Sequence, residues 1–188
     1  MAGLRERKKA ATRQHISDVA TRLIMEKGFD QVGVREIAEA AQVSPTTLFS
    51  YFPSKEAMFI DRDEELERQL VDTIRDRPEG TTALEALREL LVNRFGVLDH
   101  PASRDFVAMV RSTPSLMEHW RQIGMRHQVA VARELASAWG RPEDDTYAWV
   151  VAHSVLGVRE QLMMSDAPQQ VVDATFEILE RGLPFPSC

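Results

Sequence analysis

The chain has 188 residues, 44% of them hydrophobic, and a formal net charge of −6. That is enough apolar material for a packed core, but length for no more than one large domain or a small one beside a medium one. Its single cysteine, Cys188 at the last position, excludes an internal disulfide and a cysteine-based metal centre. No apolar run reaches the ~18 residues of a membrane span, and the N-terminal stretch has no hydrophobic signal core, so a cytoplasmic protein with no membrane partner is expected. The charge is unevenly spread. Residues 1–55 carry nine Lys and Arg against six Asp and Glu, and residues 56–188 fourteen against twenty-three. A basic head on an acidic body is the asymmetry expected when only one end meets phosphate.

Residues 3–13, GLRERKKAATR, form a basic leader in which Arg5, Arg7, Lys8, Lys9 and Arg13 outnumber Glu6. It reads as an arm or first helical turn against a DNA backbone, with a solvated terminus as the plain alternative. Ile16, Val19, Ala20, Leu23 and Ile24 then make a 3.6-period stripe, which predicts a first helix. Gly28 stops it, because glycine readily takes the left-handed conformation after a last turn. Val34, Ile37, Ala38 and Ala41 give a second helix one apolar face, and Leu48, Phe49 and Phe52 are expected to bury one side of a third. Ser44 suits a capping position and Pro45 the first helical position of that third helix. A break of about three residues between the second and third helices is the connection of a helix-turn-helix.

Pro53-Ser54 ends the third helix, and Ser54 is expected to cap a fourth running from about Lys55 to Arg75, with Phe59, Leu66, Leu70 and Ile74 on one side. Its acids, Asp61 to Glu67, read as a solvated face more readily than as a metal site. A fifth helix carries Leu84, Leu87, Leu91, Phe95 and Leu98 and breaks at His100-Pro101. A short sixth holds Phe106, Met109 and Val110. A long seventh carries Leu116, Trp120, Ile123, His127, Ala130 and Leu135 up to Gly140. An eighth, from about Glu143 to Met164, is apolar nearly all round, and such a helix must be buried on more than one face. A ninth opens at Pro168 with Val171, Ala174, Ile178 and Leu179 as its stripe, and the tail GLPFPSC is irregular. With no strand pattern, the fold class is all-α. The expected division is a three-helix head, residues 1–53, and a six-helix body, residues 54–188.

The spacing of Gly28-Phe29, Val34-Arg35-Glu36-Ile37-Ala38, Ala41-x-Val43-Ser44, Leu48-Phe49-x-Tyr51-Phe52 and Ser54-Lys55-Glu56 resembles the DNA-binding domain of the tetracycline-repressor (TetR) family of transcriptional regulators. The resemblance covers roughly the first third of the chain; the rest is similar in length and helical character alone. Two positions depart from the family pattern, Gln42 where glycine is usual and Phe49 where tyrosine is usual. The resemblance implies a homodimer, packed through the last two helices, that represses transcription from a palindromic operator on double-stranded DNA until a small molecule binds the body. No cofactor is implied.

In a helix-turn-helix the second helix enters the major groove with its early residues at the base edges. Here these are Ser44, Pro45, Thr46, Thr47 and Ser50. Threonine pairs with donor or acceptor and its methyl can touch thymine. Arg5, Lys8, Lys9, Arg35 and Lys55 are expected at phosphates, with Tyr51 as a hydroxyl donor. In the body, Phe95, Phe106, Met109, Trp120, His127 and Val151 are candidates for an apolar effector cavity, with His127 as its polar anchor; as a stripe of aromatic, Met and buried His residues they fit plain core as well. Val155 and Ile178 are the candidate dimer contacts. Catalysis has no motif: GxSxG, a Gly-rich phosphate loop and HExxH are all missing. Three readings stand, a ligand-released repressor, a DNA-binding regulator without a small-molecule ligand, and, more remotely, a metal-dependent sensor or helical-bundle enzyme.

Overall fold

A computed structural model describes residues 3–61, 63–95, 101–165 and 167–181. Among the described residues there are ten α-helices and no strand. They are α1 Leu4–Lys27, α2 Val34–Ala40, α3 Pro45–Tyr51, α4 Lys55–Phe59, α5 Asp63–Arg75, α6 Ala83–Phe95, α7 Pro101–Ser112, α8 Pro114–Ala138, α9 Thr146–Met164 and α10 Pro168–Arg181, with a 3-10 turn at Phe29–Gln31. They fall into two units. The first comprises residues 1–62 and 105–119, the second residues 63–104 and 120–188. Besides α1 to α3, the first unit takes in α4 and parts of α7 and α8.

In the first unit α1 packs on α2, on the 3-10 turn and on α4, and α2 packs on α3. The stripe of Ile16, Val19, Ala20, Leu23 and Ile24 is buried as its period requires, along with Ile37, Ala38, Leu48, Phe52, Met58 and Phe59. Ser17 sits in the same stripe because its hydroxyl donates to the Met58 carbonyl at 2.9 Å. Gly28 ends α1 at φ +92°, where a side chain would be strained. The leader is the start of α1 itself, since the helix begins at Leu4. Phe59 stacks on Phe106 of α7, centroids 4.8 Å apart.

The fourth helix expected over Lys55 to Arg75 is two helices. Ile60 leaves the helical region at φ −110°, ψ 72°. Its side chain is buried and Asp61 pairs with Arg13 at 2.6 Å. Those two contacts replace the helical continuation that the sequence pattern favours. His100 and the tail 182–188 lie outside the described residues.

The second unit is built on Leu66, Leu70 and Ile74 of α5, Leu87 and Leu91 of α6, Val131 and Leu135 of α8, Ala152, Val155 and Leu156 of α9, and Val172 and Phe176 of α10. Burying side chains of this size stabilises the unit by about 1.5–3 kcal/mol each before chain entropy is subtracted. Two caps define the helix starts. Asp145 caps α9, accepting from the Ala148 N–H at 2.9 Å, so α9 begins three residues later than the sequence pattern places it. Thr82 and Glu85 form a reciprocal capping box on α6: the Glu85 N–H donates to Thr82 Oγ1 at 3.2 Å and the Thr82 N–H to Glu85 Oε2 at 2.7 Å. Contrary to the all-round burial expected of α9, among its described side chains Ala148, Ala152, Val155, Leu156 and Val158 are buried, while Tyr147, Trp149 and Val150 are exposed. Small alanines let the buried side sit close to its neighbours, so the larger residues are left outside.

Glu85, Asp145 and Asp173 are all held below the usual carboxylate range. The causes are the Thr82 backbone N–H for Glu85, the Ala148 backbone N–H for Asp145, and the Arg88 guanidinium, 2.8 Å away, for Asp173. A folded pKa below the unfolded one contributes stability that is complete above the unfolded value and is lost as pH falls through the folded one. Chemical denaturation should therefore show constant stability from pH 7 down to about 5 and a decline below about pH 4. Asp145→Asn, which keeps a capping oxygen but loses the charge, should lower stability at pH 7 modestly and converge on the wild type at low pH, flattening part of that decline.

Candidate nucleic-acid interface

Two short helices and the turn between them position the site. The α2–α3 turn closes through Gln42 at φ +56°, the one non-glycine among the described residues with positive φ. The left-handed region strains a side chain only moderately when it is unbranched. Ser44 caps α3 as its sequence position requires, accepting from the Thr47 N–H at 3.0 Å, and Pro45 occupies the first turn. Leu48 and Phe52 are completely buried. They anchor one side of α3 and turn the opposite side outward.

That outward side holds Ser44, Pro45, Thr46, Thr47 and Ser50, all exposed. Their hydroxyls are not equally available. Ser50 Oγ donates to the Thr47 carbonyl at 2.6 Å, and Ser44 Oγ and Thr47 Oγ1 share one hydrogen bond at 2.8 Å. The Thr46 hydroxyl has no partner among the described residues. Phe49, expected to be buried with Leu48 and Phe52, is instead 53% exposed. One step along a helix is 100°, so the residue after Leu48 is carried off the buried side.

The cations divide into two groups. Arg5, Lys8 and Lys9 are exposed and spaced i, i+3, i+4 on the first turns of α1, so they share one face. Arg35 is exposed on the first turn of α2. None of the four has a partner among the described residues. Lys55, expected at phosphate, is committed inside the chain. Its ammonium donates to the Phe29 carbonyl at 2.7 Å and the Val32 carbonyl at 3.0 Å, and lies 4.0 Å from the centre of the Phe29 ring. It ties the start of α4 to the 3-10 turn. Sequence reading also missed Arg13. Its guanidinium donates to the Tyr51 carbonyl at 2.7 Å, pairs with Asp61 at 2.6 Å and covers the Phe52 ring at 4.4 Å. The 38-residue separation leaves no local signal for it. Tyr51 itself is half-buried, and its hydroxyl has no partner among the described residues.

The candidate effector residues are spread over both units. Phe106 and Met109 belong to the first; Trp120, His127 and Val151 belong to the second. The side chain of Phe95 lies outside the described residues. His127 is fully buried, and Trp120 and Val151 are half-buried. A cleft of about 400 Å³ in the second unit is lined by Val129, Ala132, Arg133, Glu143, Asp144 and Trp149, none of them among the six. Of the two candidate dimer contacts, Ile178 is 42% exposed on α10, whereas Val155 is fully buried in the core of its own unit and offers no surface to a partner.

Residues 16–61 match the model of the bacterial regulatory proteins, tetR family, a span that contains α2, α3 and α4 whole. Among known proteins the chain is similar to the HTH-type transcriptional regulator TcmR of Streptomyces glaucescens, 28% identical over 189 residues, covering 93% of this chain and 84% of that one. Among solved structures the fold resembles Salmonella enterica GusR, with a TM-score of 0.60 at 20% identity, covering 93% of this chain and 96% of that one. It also resembles the regulator FadR of Bacillus subtilis in complex with stearoyl-CoA, with a TM-score of 0.55 at 22% identity, covering 90% and 98%. No helix among the described residues is long and apolar enough to cross a membrane.

The two groups of cations should separate by salt. Arg35→Ala, or loss of Lys8 or Lys9, should leave stability unchanged and reduce the slope of log K against log salt by about 0.9 per lost phosphate contact. Lys55→Met should lower the melting temperature and leave that slope unchanged. Thermal melts beside binding titrations from 50 to 200 mM salt check both.

Proposed function

Since the chain belongs to the TetR family of bacterial regulatory proteins and is a DNA-binding transcriptional regulator, we propose that it is a cytoplasmic repressor that holds a near-palindromic operator as a homodimer and is released by a small, mainly apolar ligand. The observation that carries the DNA half is the outward face of α3, from Ser44 to Ser50, supported on two buried anchors, together with the exposed Arg5, Lys8, Lys9 and Arg35, which have no partner among the described residues. Selection of bound sequences from a random DNA pool tests it. The enriched sequence should be a near-palindrome with half-sites one helical turn apart or slightly more, about 34–36 Å. Recovery of no sequence, or of an asymmetric one, counts against it.

The dimer is proposed to use the exposed side of the last two helices, where Val150 and Ile178 are uncovered. Ile178→Asp should then yield a folded monomer with much weakened operator binding. Val155→Asp should instead unfold the second unit, because a carboxylate without a partner is costly inside a core. Light scattering and circular dichroism on the two variants distinguish these outcomes; a dimeric Ile178→Asp protein argues against the surface.

For the ligand, support comes from the buried imidazole of His127 on α8, with Trp120 two turns before it, and from the stearoyl-CoA complex of the structurally similar FadR. A buried polar group among Ile123 and Val131 suits one hydrogen-bonding atom on an otherwise apolar molecule. Binding releases DNA only if the ligand prefers the form that cannot hold it. Moving that equilibrium from 99:1 to 1:99 takes a preference of about 5.5 kcal/mol, or roughly 2.7 kcal/mol at each of two sites. Trp120→Ala should weaken release while sparing operator binding without ligand. Gel shifts with a panel of long-chain acyl compounds, stearoyl-CoA among them, would show it. A variant that loses operator binding but stays folded would remove Trp120 from this role.

A further inference from the structure

Phe49 is the one large apolar side chain that α3 turns outward. A single exposed hydrophobic residue is ordinary on a protein surface, so exposure alone carries nothing; its neighbours give it meaning. Pro45 and Thr46 precede it by four and three residues and therefore share its face, and both are exposed. Together the phenyl ring, the pyrrolidine ring and the threonine methyl make an apolar strip along α3, within the residues that match the family model and on the face proposed above to meet DNA.

The polar half of the same helix is partly spent on itself. Ser50 has given its only proton to the Thr47 carbonyl, and Ser44 and Thr47 share one bond between their hydroxyls. No Arg or Lys lies on α3, so the helix has no bidentate partner for guanine. In the major groove, the group that an apolar strip recognises is the C5-methyl of thymine. A phenyl ring cannot donate to phosphate, so Phe49 has no alternative polar role there.

We propose that Phe49 is a specificity-determining residue that packs its ring, beside Pro45 and Thr46, on the C5-methyl of a thymine in each operator half-site. This rests on the DNA-binding reading above and adds to it the chemistry of one base position. Cytosine methylated at C5 carries the same methyl and would satisfy the same contact.

The test is a scan of the selected operator in which each thymine in turn is replaced by deoxyuridine, which removes the methyl and leaves base pairing intact. With the full-length wild-type protein, one position per half-site should weaken binding about four-fold, the value of one buried methyl, and about fifteen-fold when both half-sites are changed. Phe49→Ala should bind the thymine operator more weakly and lose the distinction between thymine and deoxyuridine at that position alone. Phe49→Leu, which keeps an apolar side chain and a good helix former, should retain part of it and guards against a folding defect in the alanine variant. A scan in which no thymine matters, or a sensitive position that stays equally sensitive in both variants, overturns the inference while leaving DNA binding intact. Failure to enrich any sequence overturns the DNA-binding reading instead, and this inference with it.

Discussion

Seven residues make two turns, too short for a helix to persist in water on its own hydrogen bonds, and α3 is seven residues long. Everything that makes it a usable element is therefore borrowed from neighbours. Ser44 supplies its first hydrogen bond, Leu48 and Phe52 supply burial, and Arg13 reaches from α1 to take the Tyr51 carbonyl at its end. Because the C-terminal carbonyls of a helix carry partial negative charge, the guanidinium satisfies both an orphan acceptor and the dipole. Its pairing with Asp61 and its position over Phe52 fix it from two further directions. A residue that lies outside the helix-turn-helix thus joins Ser44, Leu48 and Phe52 in holding α3 in place.

Arg13 and Lys55 also change how the charge asymmetry is to be understood. Both count toward the basic head, yet each points inward, Lys55 onto two carbonyls and the face of Phe29, Arg13 onto Tyr51 and Asp61. A cation over an aromatic face with carbonyl partners replaces most of the hydration it gives up. What remains exposed and without a side-chain partner among the described residues is a smaller set, Arg5, Arg7, Lys8 and Lys9 at the start of α1 and Arg35 on α2. The contribution of the head to binding is accordingly a matter of placement more than of net charge.

Periodicity made the helices legible, and local chemistry made their ends legible where a cap is sequential: Gly28, Ser44 and Ser54 end or begin helices as their residue types require. What failed were features decided by contacts between distant residues. The division of α4 from α5 depends on Ile60 finding a core and Asp61 finding Arg13, and no window of the sequence contains both partners. Phe49 and Val155 were misplaced for the same reason: hydrophobicity says that a residue can be buried, while the side of the helix that meets a neighbour decides whether it is. Lys55 shows the converse, a charged residue next to a DNA-binding motif that the fold uses for itself.

An α3 with no Arg or Lys, two hydroxyls sharing one hydrogen bond and a third directed at its own helix has limited power to discriminate bases. A good bidentate contact separates right from wrong base by about 1–3 kcal/mol, and a methyl contact by less than about 1 kcal/mol. The phosphate contacts proposed for α1 and α2 would raise affinity for every sequence alike and add nothing to that difference. A single head of this kind would therefore hold DNA better than it would choose among sequences. Discrimination grows when two identical heads are tied at a fixed spacing, because the free energies of the half-sites add while the cost of bringing the protein to DNA is incurred once. The sparse chemistry of α3 makes the proposed pairing through α9 and α10 a requirement of selectivity. The proposed ligand could then act at a distance, since a change in the spacing of the two heads would remove the second half-site's share without altering a residue that touches DNA.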